Sequence, residues 1–236
     1  MTIEPTIESL LPGYAQVLLK KGINLQKGQI LVIAAPVEAS DFVTILSNAA
    51  YENGADQVVV NWRSDDLARL RYEHEKMENF TSLPDWRRDF SLYYYRKGAA
   101  FLSLIAANPY LMDGIDTKKI FAWQKASNEA LKEYVNGVMA SKTTWLVASV
   151  PSLVWARILY PDQSDEDAYN SLWRQILASS RADGADPLAD WDQHLANLKK
   201  RRDWLTQEHF AKLHYTNSKG TDLTITLPAR HIWQGG

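Results

Sequence analysis

Gln29 to Ala35 reads Gln-Ile-Leu-Val-Ile-Ala-Ala, a continuous apolar run bounded by Lys27-Gly28 and Pro36. A strand with one wet face alternates apolar and polar residues. Unbroken hydrophobicity predicts a strand covered on both faces. Ser40 is placed to cap a following helix. Phe42, Ile45, Leu46, Ala49 and Ala50 then form one apolar stripe at helical spacing, and Gly54 supplies the stop. A valine-rich run, Gln57 to Trp62, follows at once. Strand, helix and strand within about 30 residues make a βαβ unit, whose parallel strands and right-handed crossover leave few folds open.

The same alternation continues. Before the unit, Leu10 to Lys21 predicts a short amphipathic helix with Tyr14, Val17 and Leu18 on one face and Gly22 at its end. After it, Asp65 to Glu78 and Asp85 to Lys97 read as helices parted by Ser82-Leu83-Pro84, and Ala99 to Ala106 as a third buried strand. Asp116 to Met139 is mainly helical, although Ile120 to Trp123 could open as a short strand. Thr143 to Val150 is a fourth strand, ending at Pro151. Alternating strands and helices predict an α/β fold: a doubly wound, mostly parallel sheet with flanking helices.

Beyond Pro151 the texture changes. Ser152 to Tyr160 predicts a short helix, and Ser164 to Ser180 and Pro187 to Glu208 longer ones carrying Trp173, Trp191 and Trp204. Phe210 to Tyr215 and Asp222 to Leu227 then alternate with period two around the turn Asn217-Ser218-Lys219-Gly220. This predicts a C-terminal antiparallel hairpin. The expected division is an N-terminal α/β domain over residues 1–208, with residues 209–236 opening a second domain. A lone hairpin is marginal in water, so it needs something to pack against.

Composition narrows the function classes. The 236 residues carry 26 basic and 28 acidic side chains, a formal net charge of -2, which supplies no concentrated positive surface for nucleic acid. The basic run Lys199 to Arg202 sits among Asp203 and Glu208 and reads as a solvated helix face. There is no cysteine, hence no disulfide framework and no thiolate zinc site, in keeping with a cytoplasmic protein. Met1 to Leu10 carries Glu4 and Glu8 and lacks a signal pattern. No apolar run reaches the roughly 20 residues of a membrane helix, so a membrane partner is not expected.

The chemistry-bearing residues are sparse. The first strand exits through Ala34-Ala35-Pro36-Val37-Glu38, with no glycine fingerprint for a dinucleotide, and the chain has neither a Walker loop nor a nucleophile elbow. Ligands of doubly wound sheets bind beyond the C-terminal strand ends, which here offer Glu38, Arg63, Ser64, Asp65, Asn108 and Ser152. Such residues also cap helices, and Ser40 and Asp65 read as caps rather than catalysts. The five histidines, His74, His194, His209, His214 and His231, form no His-Glu-x-x-His, although the last three fall near the hairpin. A metal site needs three or four convergent ligands, so a chance pairing of imidazole and carboxylate is the better reading. Trp123, Trp145 and Trp155 are expected to fill the core or its rim, with an open stacking platform as the sharper alternative.

The order of segments resembles the thermophilic-type metalloaminopeptidases, the group of aminopeptidases T and S, and most of all the aminopeptidase S branch. The pieces are Gly22-Ile23-Asn24-Leu25-Gln26-Lys27-Gly28-Gln29, then Ala49-Ala50-Tyr51-Glu52-Asn53-Gly54-Ala55, then Trp145 to Pro151 with Trp155-Ala156 and Pro161. Leu213-His214-Tyr215, Gly220-Thr221-Asp222-Leu223 and Ala229-Arg230-His231-Ile232-Trp233 complete it. The resemblance implies a longer, two-domain, homodimeric enzyme that releases N-terminal amino acids from short peptides. It also implies two divalent metal ions (zinc, cobalt or manganese) held by Glu, His, Tyr and Asp of the C-terminal domain. The first of those ligands belongs to an Asn-x-Pro-Thr-Glu-Glu-like motif that follows the stretch matching Trp233 to Gly236. No catalytic, cofactor-binding or metal-binding residue of the family is therefore carried onto residues 1–236, and the chain by itself is expected to bind no metal and to be inactive. A stand-alone small-ligand or protein-interaction module is the alternative. A nucleotide-dependent oxidoreductase is disfavoured by the missing glycines.

Overall fold

The structure is a computed structural model that describes residues 5–234. Glu4, one of the acids in the N-terminal reading, and the closing Gly235-Gly236 lie outside the described residues. By internal contacts the chain divides into two compact units, Met1–Pro187 and Leu188–Gly236.

In the first unit, four parallel strands, β1 (Ile30–Pro36), β2 (Gln57–Arg63), β3 (Ala100–Ile105) and β4 (Trp145–Ser149), lie in the order β2-β1-β3-β4. β1 is central, its residues 30–36 opposite 57–63 of β2 and its residues 31–34 opposite 100–103 of β3. The direction of winding reverses between β1 and β3, because β2 lies to one side of β1 while the chain then continues outward through β3 and β4. Leu31, Ile33 and Ala35 of β1 and Ala100, Leu102 and Leu104 of β3 face one core. That core is closed by α1 (Ile7–Gln16), α2 (Ser40–Glu52) and α8 (Asp165–Ser179), while α7 (Leu153–Leu159) adds Ala156. Three rings knit the helices together: Tyr14 stacks on Phe42 at 5.3 Å, and Trp173 meets both edge-on at 6.3 and 5.6 Å.

The alternate residues face the other side. There the Phe101 ring meets Tyr134 of α6 (Lys132–Met139) at 5.0 Å. With helices on both faces the sheet is doubly wound, and the continuous apolar run of β1 follows from that double cover. A separate small core holds Tyr72 of α3 (Asp65–His74), Phe80 and Ile115, with Trp123 and Ile120 of α5 (Thr117–Ala130) packed against it. α4 (Asp85–Arg96) follows Phe80 in the chain.

Several local expectations are corrected. Ser40 is the first helical residue of α2, not its cap; a 3-10 turn, Val37–Ala39, precedes it and no side chain caps the helix. Ser64 rather than Asp65 caps α3, its hydroxyl accepting from the Leu67 N–H at 3.3 Å. The helix expected over residues 65–78 ends at His74, and Met77–Phe80 is a 3-10 turn that sends Phe80 inward. Ile120 to Trp123 is helical. The first helix starts three residues earlier than its apolar stripe suggests. After Gln16 it widens into a π-helical turn, Val17–Gly22, whose carbonyls of Leu18 and Leu19 accept from Ile23 and Leu25 at 2.8 Å.

The second unit holds α9 (Pro187–Glu208, all but its first residue) and the antiparallel pair β5 (Lys212–Thr216) and β6 (Asp222–Thr226). Asn217 Oδ1 accepts from the N–H groups of Lys219 and Thr221, and Gly220 takes a φ of +90°, which closes the turn. The pairs Leu213–Ile225 and Tyr215–Leu223 put the apolar side chains on one face of the hairpin. None of the helices among the described residues is long and apolar enough to cross a membrane.

Candidate functional site

The reversal between β1 and β3 is where a sheet of this kind opens a crevice at its C-terminal edge. The strand-end residues read from the sequence lie along that edge, but their hydrogen bonds go mostly to backbone groups. Arg63, the last residue of β2, donates through Nη2 to the carbonyl of Leu104 in β3 at 2.8 Å and, at 3.4 Å, to that of Ala34 in β1. One guanidinium thus spans the two strands that flank the switch. Burial lowers its pKa from the usual arginine value, and Asp65 opposes that shift.

Asp65 sits beside it. Burial raises its carboxyl above the ordinary range, Glu38 and Asp66 raise it further, and Arg63 and a hydrogen bond with the Asn108 side chain pull it down. Asn108 Oδ1 also accepts from the Tyr110 N–H at 3.2 Å. Ser152 donates to the Ala107 carbonyl at 2.9 Å and caps α7 by accepting from Trp155 N–H at 3.1 Å. Ser64 is committed to its cap. Two carboxylates and a guanidinium meeting at a strand switch are groups that could orient a polar ligand. Yet Arg63, Asn108 and Ser152 already spend hydrogen bonds along the edge, so the arrangement first of all ties β1, β3 and the loop after β3 together.

The histidines do not gather into a site of that kind. His74 ends α3, and His194 meets Trp191 edge-on at 5.5 Å within α9. His209 and His231 stack at 4.9 Å. His209 directs its ring nitrogens at the carbonyls of Thr206 and Ala229, while His231 Nδ1 faces that of Pro228 at 2.7 Å, and His231 Nε2 is buried without a partner. His214 Nε2 lies 2.6 Å from Asp222 Oδ1 across the hairpin. This imidazole–carboxylate pair was legible in principle. A chain reversal at 217–220 brings residues 214 and 222 onto the same face of neighbouring strands.

A catalytic metal requires at least three convergent protein donors. Among the described residues no three His, Cys, Asp or Glu side chains are grouped to hold an ion. His214 with Asp222 supplies two donors, and both nitrogens of His209 are turned to carbonyls. The residues described here do not fit a metal centre, and no metal-dependent step is assigned to them.

Against known proteins, the model of the family described as thermophilic metalloprotease (M29) matches residues 7–236. Aminopeptidase AmpS of Bacillus subtilis is 40% identical over 225 residues, covering 95% of this chain and 55% of that protein. Aminopeptidase T of Thermus thermophilus is 33% identical over 226 residues, covering 96% of this chain and 55% of that protein. The solved structure of wild-type AmpT from Thermus thermophilus superposes with a TM-score of 0.89 at 31% identity, over 98% of this chain and 56% of that one. The chain therefore spans about 55% of the length of the curated relatives it matches. The parallel order of the four strands, the sheet's double cover and a family match running from α1 to the last residue agree: this chain belongs to the thermophilic metalloprotease family M29.

Proposed function

We propose that this chain forms the α/β part of a metal-dependent aminopeptidase that releases N-terminal amino acids from short peptides. The observation that carries the reading is the family match over residues 7–236, with relatives that are aminopeptidases and of which the chain covers about 55%. In this reading the enzyme uses two divalent metal ions (zinc, cobalt or manganese), held by residues other than those described here. The chain by itself is then inactive, and the intact enzyme is a cytoplasmic homodimer that engages neither nucleic acid nor membrane. The balanced charge and the absence of cysteine fit that setting.

The α/β unit contributes shape rather than bond-making groups. A rigid wall beside a peptide-cleaving centre limits which substrates reach it, and positioning of this sort is where distant residues influence rate.

The test begins with the gene read past the codon for Gly236. The protein encoded by a continuing frame is expected to hydrolyse leucine amide and short peptides, to lose activity to a chelator and to recover it with added metal. It is expected to elute as a dimer. The 236-residue chain, assayed with the same metals, is expected to release nothing. Metal-dependent turnover by the 236-residue chain alone would overturn the division of labour. A stop codon directly after Gly236 would favour a stand-alone binding module instead.

A further inference from the structure

We propose that the exposed Trp86–Arg87 turn of α4, backed by Arg71 and Trp123, is a docking site for an organic carboxylate carried beside an apolar or planar group, as a peptide C-terminus presents it. The argument starts from charge. Around the small core of Tyr72, Phe80 and Ile115, the cations of Arg71, Arg87 and Lys119 all lie against aromatic rings. Arg71 Cζ sits 3.9 Å from the centre of Trp123 and 4.6 Å from that of Phe80. Its donors are used: Nε to Glu75 Oε2 and Nη2 to the Asn79 carbonyl, both at 3.0 Å. Lys119 Nζ donates to the Tyr72 carbonyl at 2.6 Å.

Arg87 differs from its neighbours. On α3 and α4, Arg69 holds Glu73, Arg71 holds Glu75, Arg88 holds Asp85 and Asp89, and Arg96 holds Glu133. The Arg87 side chain has no hydrogen-bond or ion-pair partner among the described residues. It lies instead over the indoles of Trp86 and Trp123, with Cζ 5.0 and 5.6 Å from their centres. Burial and the nearby Arg71 both lower its pKa, with only Glu75 opposing them. Glu75 is already bound to Arg71, so the pair of guanidiniums is one negative charge short. Trp86 is 67% exposed beside it, an aromatic face open to solvent. A guanidinium fork takes a carboxylate through two parallel hydrogen bonds, and an adjacent indole gives the ligand's apolar part a surface. Trp123, expected to be either core filler or stacking platform, is the back wall of this shelf.

That the carboxylate belongs to a peptide rests on the aminopeptidase reading; the carboxylate chemistry does not. Titrate the 236-residue chain calorimetrically with N-acetyl-tryptophan, which has a carboxylate and no free amine, with N-acetyl-tryptophanamide, and with inorganic phosphate. Repeat with Arg87→Gln, Arg87→Lys, Trp86→Ala and, as a control on the same helix, Arg88→Gln. Saturable binding of the acid is expected, with the amide and phosphate weaker. Arg87→Gln is expected to weaken the acid at least about tenfold, the scale of a lost charged hydrogen bond. Arg87→Lys should lose less, Trp86→Ala should lower the preference over phosphate, and Arg88→Gln should bind as the parent does. Equal affinity for acid and amide, or an unchanged Arg87→Gln, would overturn the site. Phosphate binding as tightly as the acid would overturn the organic part of the ligand. Binding of the acid by an intact protein without peptidase activity would leave the site standing and remove the peptide as its source.

Discussion

Tyr14 joins the helix layer to the sheet. Its ring lies in the core between Phe42 and Trp173, and its hydroxyl donates to the Ser149 carbonyl at the end of β4 at 2.9 Å. Burial pushes its pKa up to about 12. Tyr14→Phe keeps the ring and deletes the donor, leaving a carbonyl at a strand end unpaired. A cost of about 1–2 kcal/mol in urea unfolding at pH 7 is expected. The same substitution has a signature in pH. An unfolded tyrosine loses its proton near the ordinary value of 10.0, whereas the folded one holds it to about 12. Between these values the native state binds the extra proton, so stability that is complete below pH 10 is lost as the pH climbs toward 12. The slope from this one group is at most about 1.4 kcal/mol per pH unit. Tyr72, Tyr134 and Tyr169, also raised mainly by burial, steepen the loss in parent and variant alike. Tyr14→Phe should therefore give a shallower alkaline limb than the parent; identical limbs would show that Tyr14 ionises without unfolding the core.

Among the elements, the π-helical turn Val17–Gly22 ends on a glycine that a side chain of the sheet crowds. Gly22 lies under Leu146 of β4, where an added Cβ would overlap the Leu146 Cδ2 methyl. Gly22→Ala is expected to cost about 1–3 kcal/mol, as overpacking does. Leu146→Ala opens a cavity and costs about 2–5 kcal/mol on its own. In the double variant the new methyl enters the vacated space, so the two losses should fall short of their sum by at least about 0.5 kcal/mol; strict additivity would mean that the two side chains do not meet. The sequence announced this helix through Tyr14, Val17, Leu18 and the terminal Gly22, yet nothing in a 3.6-residue periodicity distinguishes a six-residue π turn from the end of an α-helix. The strands were legible for a related reason: runs such as residues 29–35 and 57–62 are apolar throughout, and only double cover accounts for that. Caps were less so. Ser40, Ser64 and Asp65 are all chemically able to cap, and the choice of Ser64 depends on where β2 releases the chain. The strand-end cluster was legible as a set of residues, but not the way Arg63 spends its donors on Leu104 and Ala34, since that requires the order β2-β1-β3. The unpaired Arg87 was invisible in the sequence, because it emerges only once Glu75 is assigned to Arg71 and Asp85 and Asp89 to Arg88.

At the scale of the whole molecule, the two compact units differ in how their strands are protected. β1 is hydrogen-bonded on both sides, by β2 and β3, and Leu31, Val32, Ile33 and Ala35 are buried. Its amides can exchange with solvent only when the sheet comes apart, which for a domain of this class costs about 5–15 kcal/mol. Among the described residues β5 and β6 pair only with each other, and every residue of β6 is exposed, as is Tyr215 of β5. A hairpin with a wet apolar face is marginal by itself, and its opening needs no disruption of the sheet. Hydrogen exchange measured on the 236-residue chain should therefore separate the two by at least about a thousandfold, with the Leu223 and Ile225 amides fast and the Leu31 to Ala35 amides slow. Adding denaturant should leave the hairpin rates nearly flat while those of β1 rise steeply, because only the latter open through exposure of a large buried surface. Protection of Leu223 and Ile225 equal to that of Ile33, with the same denaturant dependence, would mean that the hairpin unfolds with the sheet as one cooperative body.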